Sequence, residues 1–261
     1  MGHVAGRCQK LGKGRLMIKN RGRFDPQELE TDNRFLDQSE ELWSDELSDV
    51  AKGLLTSAVR CFAANGYHAT TTRDIANVVG LSPAALYVYF PSKEAALFEI
   101  VRSAHERILA VVEELVAQDV QDPTKRLRLL VSRYTAWHAR HHVAARVAQY
   151  ERAGLVEEHH DEILRLRHLT NEAFRQTVAQ VVRADDSNSV DVNRVTRAIL
   201  SLSIDLVRWY RLNGPDSPEE LGDFYADLAQ RMLNLSTFEA LSEEPDTFRV
   251  ETVALLKERV Q

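Results

Sequence analysis

The chain has 261 residues, of which 44% are hydrophobic and 28% charged, the composition of an ordinary globular protein with a substantial core. No apolar run approaches the roughly 18 residues that a membrane-spanning helix needs, and the basic N-terminus lacks the apolar segment of a secretory signal. Cys8 and Cys61 lie in unrelated contexts and suggest no disulfide framework, so we expect a reducing, cytoplasmic environment.

The net charge of −6 is unevenly distributed along the chain. Residues 1–24 carry +7, residues 25–49 carry −9, residues 50–93 carry +3 and residues 94–261 carry −7. Binding to DNA depends on the local field, so the basic segment 50–93 is compatible with DNA contact despite the acidic total. The first 45 residues lack hydrophobic periodicity, and we expect residues 1–45 to be disordered, either as a solvated tail or as a basic arm that follows phosphates.

From Leu47 onward the pattern is helical. Apolar residues recur on one helical face as far as Phe62, and Asn65-Gly66 ends that helix. Further helix starts are indicated by Ser82-Pro83, Ser92, Gln121-Asp122-Pro123 and the capping box Ser217-Pro218-Glu219-Glu220. No segment alternates like a strand, so the sequence predicts an all-α fold of about nine helices.

Two short helices joined by a tight turn are expected within residues 66–94. Thr71 or Thr72 caps the first helix, Gly80 closes it, and Ser82-Pro83 begins the second. This is the pattern of a helix-turn-helix, whose second helix enters the major groove of DNA.

The exposed side of this motif has groups suited to DNA. The small side chains of Ala84 and Ala85 allow the helix to approach the bases closely, and Arg73 is the best candidate for a bidentate contact with guanine. The hydroxyls of Tyr87 and Tyr89 and the ammonium of Lys93 are expected to contact phosphates.

The order Thr-Thr-Arg-Asp-Ile-Ala, then Gly-Leu-Ser-Pro-Ala-Ala-Leu-Tyr-Val-Tyr-Phe-Pro-Ser-Lys-Glu, resembles the DNA-binding domain of the TetR family. The resemblance implies a homodimeric repressor that a small-molecule inducer releases from a palindromic operator. It implies a DNA-binding domain at 46–93, a ligand-binding and dimerisation domain at 94–236 and a C-terminal tail at 237–261. The residues it places against DNA are Thr71, Thr72, Arg73, Ser82, Pro83, Ala84, Ala85, Tyr87, Tyr89 and Lys93.

Two late helices, at about 190–211 and 218–235, are more apolar than a single domain requires. The first carries a stripe that ends at Leu206 and Trp209 and a second apolar face that includes Ile204. We interpret the pair as a dimer interface; the alternative is that both helices line the core of one subunit.

The segment that begins Ile204-Asp205-Leu206-Val207-Arg208-Trp209-Tyr210 is similar to a TetR branch that regulates lipid and sterol-ring catabolism in response to acyl-CoA thioesters. Such a ligand needs an apolar tunnel and cations for its phosphates. The candidate tunnel residues are Phe174, Leu202, Leu206 and Trp209, and the candidate cations are Arg167, Arg175 and Arg208. The alternative is that each of these arginines forms a surface ion pair.

Metal and catalytic sites are not indicated. His138, His141 and His142, and the pair in His159-His160-Asp161, are interpreted as exposed helical histidines, because no cysteine or further ligand accompanies them. Nucleophile elbows, phosphate loops and dinucleotide fingerprints are absent, so we expect no cofactor and no enzymatic activity. The competing hypothesis is a helical scaffold protein without sequence-specific DNA recognition.

Overall fold

The computed structural model describes residues 32–184 and 190–234, and all regular secondary structure in these ranges is helical. Three short 3-10 turns, Ser39–Leu42, Arg152–Gly154 and Leu206–Arg208, accompany the α-helices. The α-helices of the described ranges are α1 (Asp49–Asn65), α2 (Thr72–Val78), α3 (Pro83–Tyr89), α4 (Lys93–Ala117), α5 (Pro123–Arg140), α6 (His142–Tyr150), α7 (Glu157–Ala184), α8 (Val192–Asp205) and α9 (Pro218–Asn234). The predicted all-α class with about nine helices is confirmed.

Local sequence explains where the helices begin and end. The Ser48 side chain accepts a hydrogen bond from the backbone amide of Ala51, and Asp122 accepts two at the start of α5. The predicted capping box at α9 is confirmed, because Ser217 and Glu220 bond each other's backbone amides at 2.9 and 3.2 Å. Helix α1 ends at Gly66, whose φ of +80° favours glycine.

Helices α1 to α3 form a compact unit at the N-terminal side. Leu54, Phe62 and Leu86 are fully buried between them, so each short helix is stabilised by packing on α1. The Ser57 hydroxyl of α1 donates to the carbonyl of Ile75 in α2 at 2.6 Å. The other face of α1 packs against α4 and α6, which joins this unit to the remaining helices.

The larger helical part is built around α4, α5 and α7, with α8 and α9 packed beside them. Helix α9 lies along α5 at a very close approach, since a Cβ on Gly222 would lie 2.4 Å from the carbonyl oxygen of Ser132. Ser132 also donates to Asp223 at 2.9 Å, and Arg128 pairs with Asp227 across the same two helices. Glycine at position 222 therefore sets how closely these helices pack.

Helix α8 is shorter than the sequence predicts. The pattern extended to about residue 211, but the α-helix ends at Asp205 and is followed by the 3-10 turn Leu206–Arg208. The chain leaves the helix so that Tyr210 is buried, where its hydroxyl donates to the carbonyl of Asp216 at 3.1 Å and its ring meets that of His142. Burial of Tyr210 is therefore favoured over continuation of the helix to residue 211.

The prediction of disorder through residue 45 is wrong for residues 32–45. Phe35, Leu42 and Trp43 in this segment are at most 5% exposed and belong to the hydrophobic core. Their spacing follows no α-helical period, because this segment consists of one 3-10 turn and irregular chain, so hydrophobic periodicity did not reveal them. The basic block at residues 1–24 and the tail at residues 237–261 lie outside the described residues.

None of the helices in the described ranges combines the length and the apolar character that crossing a membrane would require.

Candidate DNA-binding and ligand-binding sites

The helix-turn-helix is formed by α2, α3 and the turn that contains Gly80. Thr71 is the cap of α2, since its hydroxyl oxygen accepts from the amide of Asp74 at 3.3 Å and Asp74 accepts from the Thr71 amide at 2.7 Å. The Thr71 hydroxyl also donates to Asp74 at 2.7 Å. Both donors of Thr71 are thus used within the cap, and a phosphate contact by Thr71 would require giving up part of it.

Helix α3 presents apolar and phenolic groups to solvent. Tyr87, Val88 and Tyr89 are 56%, 76% and 40% exposed, whereas Leu86 and Phe90 point into the core as predicted. Contiguous exposed apolar residues on a folded domain mark an interaction surface. Among the other predicted DNA contacts, Arg73, Ser82 and Ala84 are exposed and Thr72, Pro83 and Ala85 are partly exposed.

The Lys93 ammonium already bonds two backbone carbonyls of the protein, unlike a lysine that contacts only phosphates. Its Nζ donates to the carbonyls of Tyr67 and Thr70 at 2.8 and 2.7 Å and lies 4.2 Å from the centre of the Tyr67 ring. Burial lowers the pKa of the Lys93 ammonium. Since an ammonium has three donors, one remains for DNA, and its expected phosphate contact stays a prediction.

A wide cleft between α7 and α8 is a candidate ligand site. It encloses about 560 Å³, within the usual range for small-molecule pockets. Arg167, Arg175 and Arg197 line it together with the carboxylates of Glu172 and Asp205, which leaves an excess of positive charge. Arg175 pairs with Glu172 at 2.6 Å and lowers the pKa of that carboxyl to about 2.

A small inner chamber of about 30 Å³ adjoins this cleft and shares Arg167, Asn171 and Gln149 with it. Arg167 donates to the Gln149 side chain at 2.8 Å, and burial lowers the pKa of its guanidinium. The chamber is lined by aromatic and imidazole rings from α4 and α5, among them Tyr134 and His105. It has room for a group the size of one water molecule.

Two histidines of the chamber are neutral. Burial lowers the pKa of His105 to about 3 and that of His138 to about 4. The Nδ1 of His138 bonds the carbonyl of Tyr134 at 2.9 Å, so this nitrogen is the donor and the other nitrogen is an acceptor. The Nε2 of His105 is buried and without a hydrogen-bond partner among the described residues. The chamber therefore offers uncharged imidazole groups to a ligand, beside the guanidinium of Arg167.

The structure brings only some of the predicted ligand residues to the cleft or the inner chamber. Arg175 lines the cleft, and Phe174 is fully buried with its ring against that of Tyr134, a residue of the inner chamber. Leu206, the first residue of the 3-10 turn, is fully buried. Arg167, a predicted cation, lines both cavities, whereas Phe174, Leu206, Leu202, Trp209 and Arg208 line neither. Leu202 is 41% and Trp209 50% exposed, and Arg208 lies 3.6 Å from Asp205.

Sequence reasoning missed the chamber residues His105, Tyr134 and His138 and the cleft residue Arg197. They come from α4, α5 and α8, and no spacing along the chain signals that they meet. It also left Val88, the most exposed of the large apolar residues of α3, out of the DNA-contacting set.

The prediction that the histidines of α5 and α6 are exposed is wrong. His138, His141 and His142 are 6%, 5% and 1% exposed. Each bonds a backbone carbonyl three or four residues earlier through Nδ1, at 2.9 to 3.2 Å, which satisfies one nitrogen of each buried ring. Across residues 32–184 and 190–234, no group of three or more His, Cys, Asp or Glu side chains is arranged to hold a metal ion.

A three-helix unit that exposes a short helix, joined to a helical body with an arginine-lined cleft, defines a helix-turn-helix regulator. Comparison with known families agrees. The model described as "Bacterial regulatory proteins, tetR family" matches residues 54–100, and the model "Tetracyclin repressor-like, C-terminal domain" matches residues 120–233. The chain belongs to the TetR family, and it is a DNA-binding transcriptional regulator rather than an enzyme.

Individual relatives match across both parts of the chain. The HTH-type transcriptional repressor KstR2 of Rhodococcus jostii is 31% identical over 180 residues, which cover 67% of this chain and 86% of that protein. A bacterial regulatory protein of the tetR family from Rhodococcus RHA1 has 34% identity and a TM-score of 0.66, covering 72% of this chain and 98% of its own. The structure of the ketosteroid transcriptional regulator KstR2 of Mycobacterium tuberculosis has 25% identity and a TM-score of 0.67, covering 73% and 97%.

Proposed function

We propose that this protein is a homodimeric repressor that binds a palindromic operator through α2 and α3 and is released when a small molecule enters the cleft between α7 and α8. The observation that carries the proposal is that one chain combines an exposed helix-turn-helix with a cationic cleft of about 560 Å³. A regulator of bacterial genes acts where the chromosome lies, so we assign it to the cytoplasm.

The DNA contacts follow from exposure and chemistry. Arg73 is exposed and suited to a bidentate contact with guanine, and the hydroxyls of Tyr87 and Tyr89 are suited to phosphates. The exposed Val88 adds an apolar group that suits the methyl group of thymine. Direct readout thus rests on few residues, and DNA shape contributes the remaining specificity.

The homodimer is supported by apolar residues that α8, α9 and the loop between them leave exposed. Leu202, Trp209 and Phe224 are 41%, 50% and 56% exposed. Large apolar side chains in such numbers are what a second subunit covers. We propose that the two subunits pack through this surface, which brings two helix-turn-helix units to the two half-sites of a palindrome.

The inducer is proposed to be an acyl-CoA thioester. The guanidinium groups of Arg167, Arg175 and Arg197 suit its phosphates, because arginine binds phosphate in a bidentate way. The inner chamber suits the polar tip of its acyl part, since the neutral rings of His105 and His138 line it beside the Arg167 guanidinium. Similarity to KstR2, which is named a ketosteroid transcriptional regulator, supports a ring-containing acyl part.

The DNA-binding half of the proposal is tested by a mobility-shift titration with the DNA that flanks the protein's own gene. The wild type should form a complex that competing random DNA does not displace and that rising salt weakens. Arg73→Ala should weaken the specific complex by about 1–3 kcal/mol, or roughly 5- to 150-fold, and Tyr87→Phe by less. Both variants should keep the dimer.

The same titration tests the competing scaffold hypothesis. If the wild type binds the flanking DNA no better than random DNA at moderate salt, the repressor proposal fails and the scaffold is favoured.

The ligand half is tested by thermal shift with a panel of CoA thioesters, the matching free acids and CoA itself. A specific thioester should raise the midpoint of unfolding and dissociate the operator complex. Arg197→Gln should reduce that rise, whereas Arg194→Gln, on the same helix but not lining the cleft, serves as the matched control. Stabilisation by free acids and not by thioesters would contradict the acyl-CoA assignment.

A further inference from the structure

Residues 32–48, which precede α1 and which we call the strap, connect the DNA-binding helices to the ligand-binding helices. One end of the strap contacts the corner where α5 gives way to α6. The other end packs on α1, which carries the helix-turn-helix. The two contact points, at Asp37-Gln38 and at Trp43, are only a few residues apart, and the 3-10 turn Ser39–Leu42 lies between them.

At the corner, the strap bonds both helix ends. The carboxylate of Asp37 accepts from the backbone amide of Val143 at 2.7 Å, at the start of α6, and the amide of Gln38 donates to the carbonyl of Arg140 at 2.9 Å, at the end of α5. Helix ends leave such groups without partners inside the helix. The strap therefore supplies hydrogen bonds that the corner needs.

At α1, the strap is anchored by a buried tryptophan. Trp43 is 3% exposed, and its indole N–H donates to the hydroxyl of Thr56 in the middle of α1 at 2.9 Å. Leu42 is 2% exposed beside it, and Arg107 of α4 donates to the carbonyls of Leu42 and Trp43 at 3.4 and 3.5 Å. This end of the strap is thus held by packing and by directed bonds.

Helix α6, which the strap holds at its start, also lines the inner chamber. Ala145, Ala148 and Gln149 are chamber residues, and Gln149 also faces the outer cleft. A ligand that enlarges a chamber of about 30 Å³ must displace one of the helices that line it. Displacement of α6 would pull on Asp37.

We propose that Asp37 and Trp43 are positioning residues for DNA binding. The strap holds α1, and with it the helix-turn-helix, in one orientation relative to α6, and it transmits a displacement of α6 to α1. This inference rests on the proposed function, because it assigns to the strap the step between ligand cavity and DNA. It does not depend on which ligand fills the cavity.

A first test needs no DNA and uses amide hydrogen exchange on the full-length protein. Asp37→Ala should raise exchange at residues 141–145, which it touches, and also at residues 52–60 of α1, which it does not touch, by about threefold or more. Asp37→Asn, which keeps one carbonyl acceptor, should give a smaller rise. The matched control is Asp45→Asn, in the same strap but exposed and 3.6 Å from Lys52. A rise confined to residues 141–145 would overturn the proposal.

A second test measures how firmly the helix-turn-helix units are oriented, through the preference of the protein for the spacing of the two half-sites. One base pair inserted at the centre of a palindrome rotates one half-site by roughly 35° relative to the other. Asp37→Ala and Trp43→Phe should reduce the preference for the native spacing by about threefold or more, because a loosened helix-turn-helix tolerates the rotation. Loss of folded protein alone would weaken both operators equally and leave the ratio unchanged.

The two tests separate the possible failures. If wild-type protein shows no specific operator, the proposed function fails, and the exchange experiment still decides whether the strap links α6 to α1. If a specific operator exists but Asp37→Ala retains the wild-type spacing ratio, the strap does not position the helix-turn-helix.

Discussion

The carboxylate of Glu151, just after α6, accepts a hydrogen bond from the backbone amide of Tyr67 at 2.9 Å, just after α1. Residue 151 is distant in sequence from residue 67, so the bond joins the turn before the helix-turn-helix to the larger helical part. Tyr67 also packs against the backbone of Gly154, where an added Cβ would lie 2.5 Å from the ring. Helix α6 is therefore tied to the DNA-binding helices at its end as well as, through the strap, at its start.

We expect Glu151→Ala to destabilise the protein by about 1–3 kcal/mol, because a partly buried amide loses its acceptor. Glu151→Gln should cost less, since its side-chain carbonyl can accept the same bond. Urea unfolding measures the difference. Exposed Glu114 of α4, changed to Ala, is the control, and a loss no larger than for that variant would show that the bond contributes nothing.

Gly222→Ala should destabilise the packing of α9 on α5 by about 1–3 kcal/mol, because the new Cβ would collide with the Ser132 carbonyl. Gly53→Ala in α1 is the matched control, since its Cβ would lie 3.8 Å from the Val79 side chain, an ordinary contact. That control should instead stabilise the protein by about 0.5–1 kcal/mol. Equal unfolding free energies for the two variants would contradict the close approach.

Lys93→Met should destabilise the protein by about 1.5–3 kcal/mol, because the carbonyls of Tyr67 and Thr70 lose a charged donor. Exposed Lys125, changed to Met, should alter stability by less than about 0.5 kcal/mol. Thermal unfolding without DNA is the measurement. If Lys93→Met weakens operator binding with unchanged stability, Lys93 acts through phosphate contact alone.

The free energy of unfolding should fall as the pH is lowered below about 6.5. His105 and His138 have folded-state pKa values of about 3 and about 4, below the unfolded value, so the unfolded chain takes up protons first. As the pH falls below about 6.5, each histidine should lower the free energy of unfolding by about 1.4 kcal/mol per pH unit. This loss continues until the pH reaches the pKa of that histidine in the folded protein. His138→Gln, measured by urea unfolding from pH 7 to pH 4.5, should flatten the slope, and an unchanged slope would show that His138 is not buried neutral.

Phe224→Asp should convert the proposed dimer into monomers, because a charge in the centre of an apolar interface is left without water or a partner. Sedimentation velocity at low micromolar concentration measures the change. Val116→Asp places the same charge at an exposed apolar position on α4 and should remain dimeric. A Phe224→Asp protein that sediments like the wild type would place the interface elsewhere.

The helix-turn-helix was predictable because its signals are local. The Thr71 cap, Gly80 with φ of +68° and Pro83 at the start of α3 act within one or two turns of the chain, so short-range sequence specifies them. Helix α1 was likewise predictable from the spacing of its own apolar residues. The end of α8 was not predictable, because Tyr210 leaves the helical pattern to reach His142 on a different helix.

By itself, then, the sequence determined the all-α class, the DNA-reading motif and the exposed face of α3, since caps, glycines and hydrophobic periods act over a few residues. Only the tertiary structure revealed the features that we propose control that motif. The cleft joins arginines from α7 and α8, the chamber pairs His105 with His138 from separate helices, and Asp37 meets Val143 across more than a hundred residues. Such contacts depend on how whole helices pack, and no local spacing encodes them.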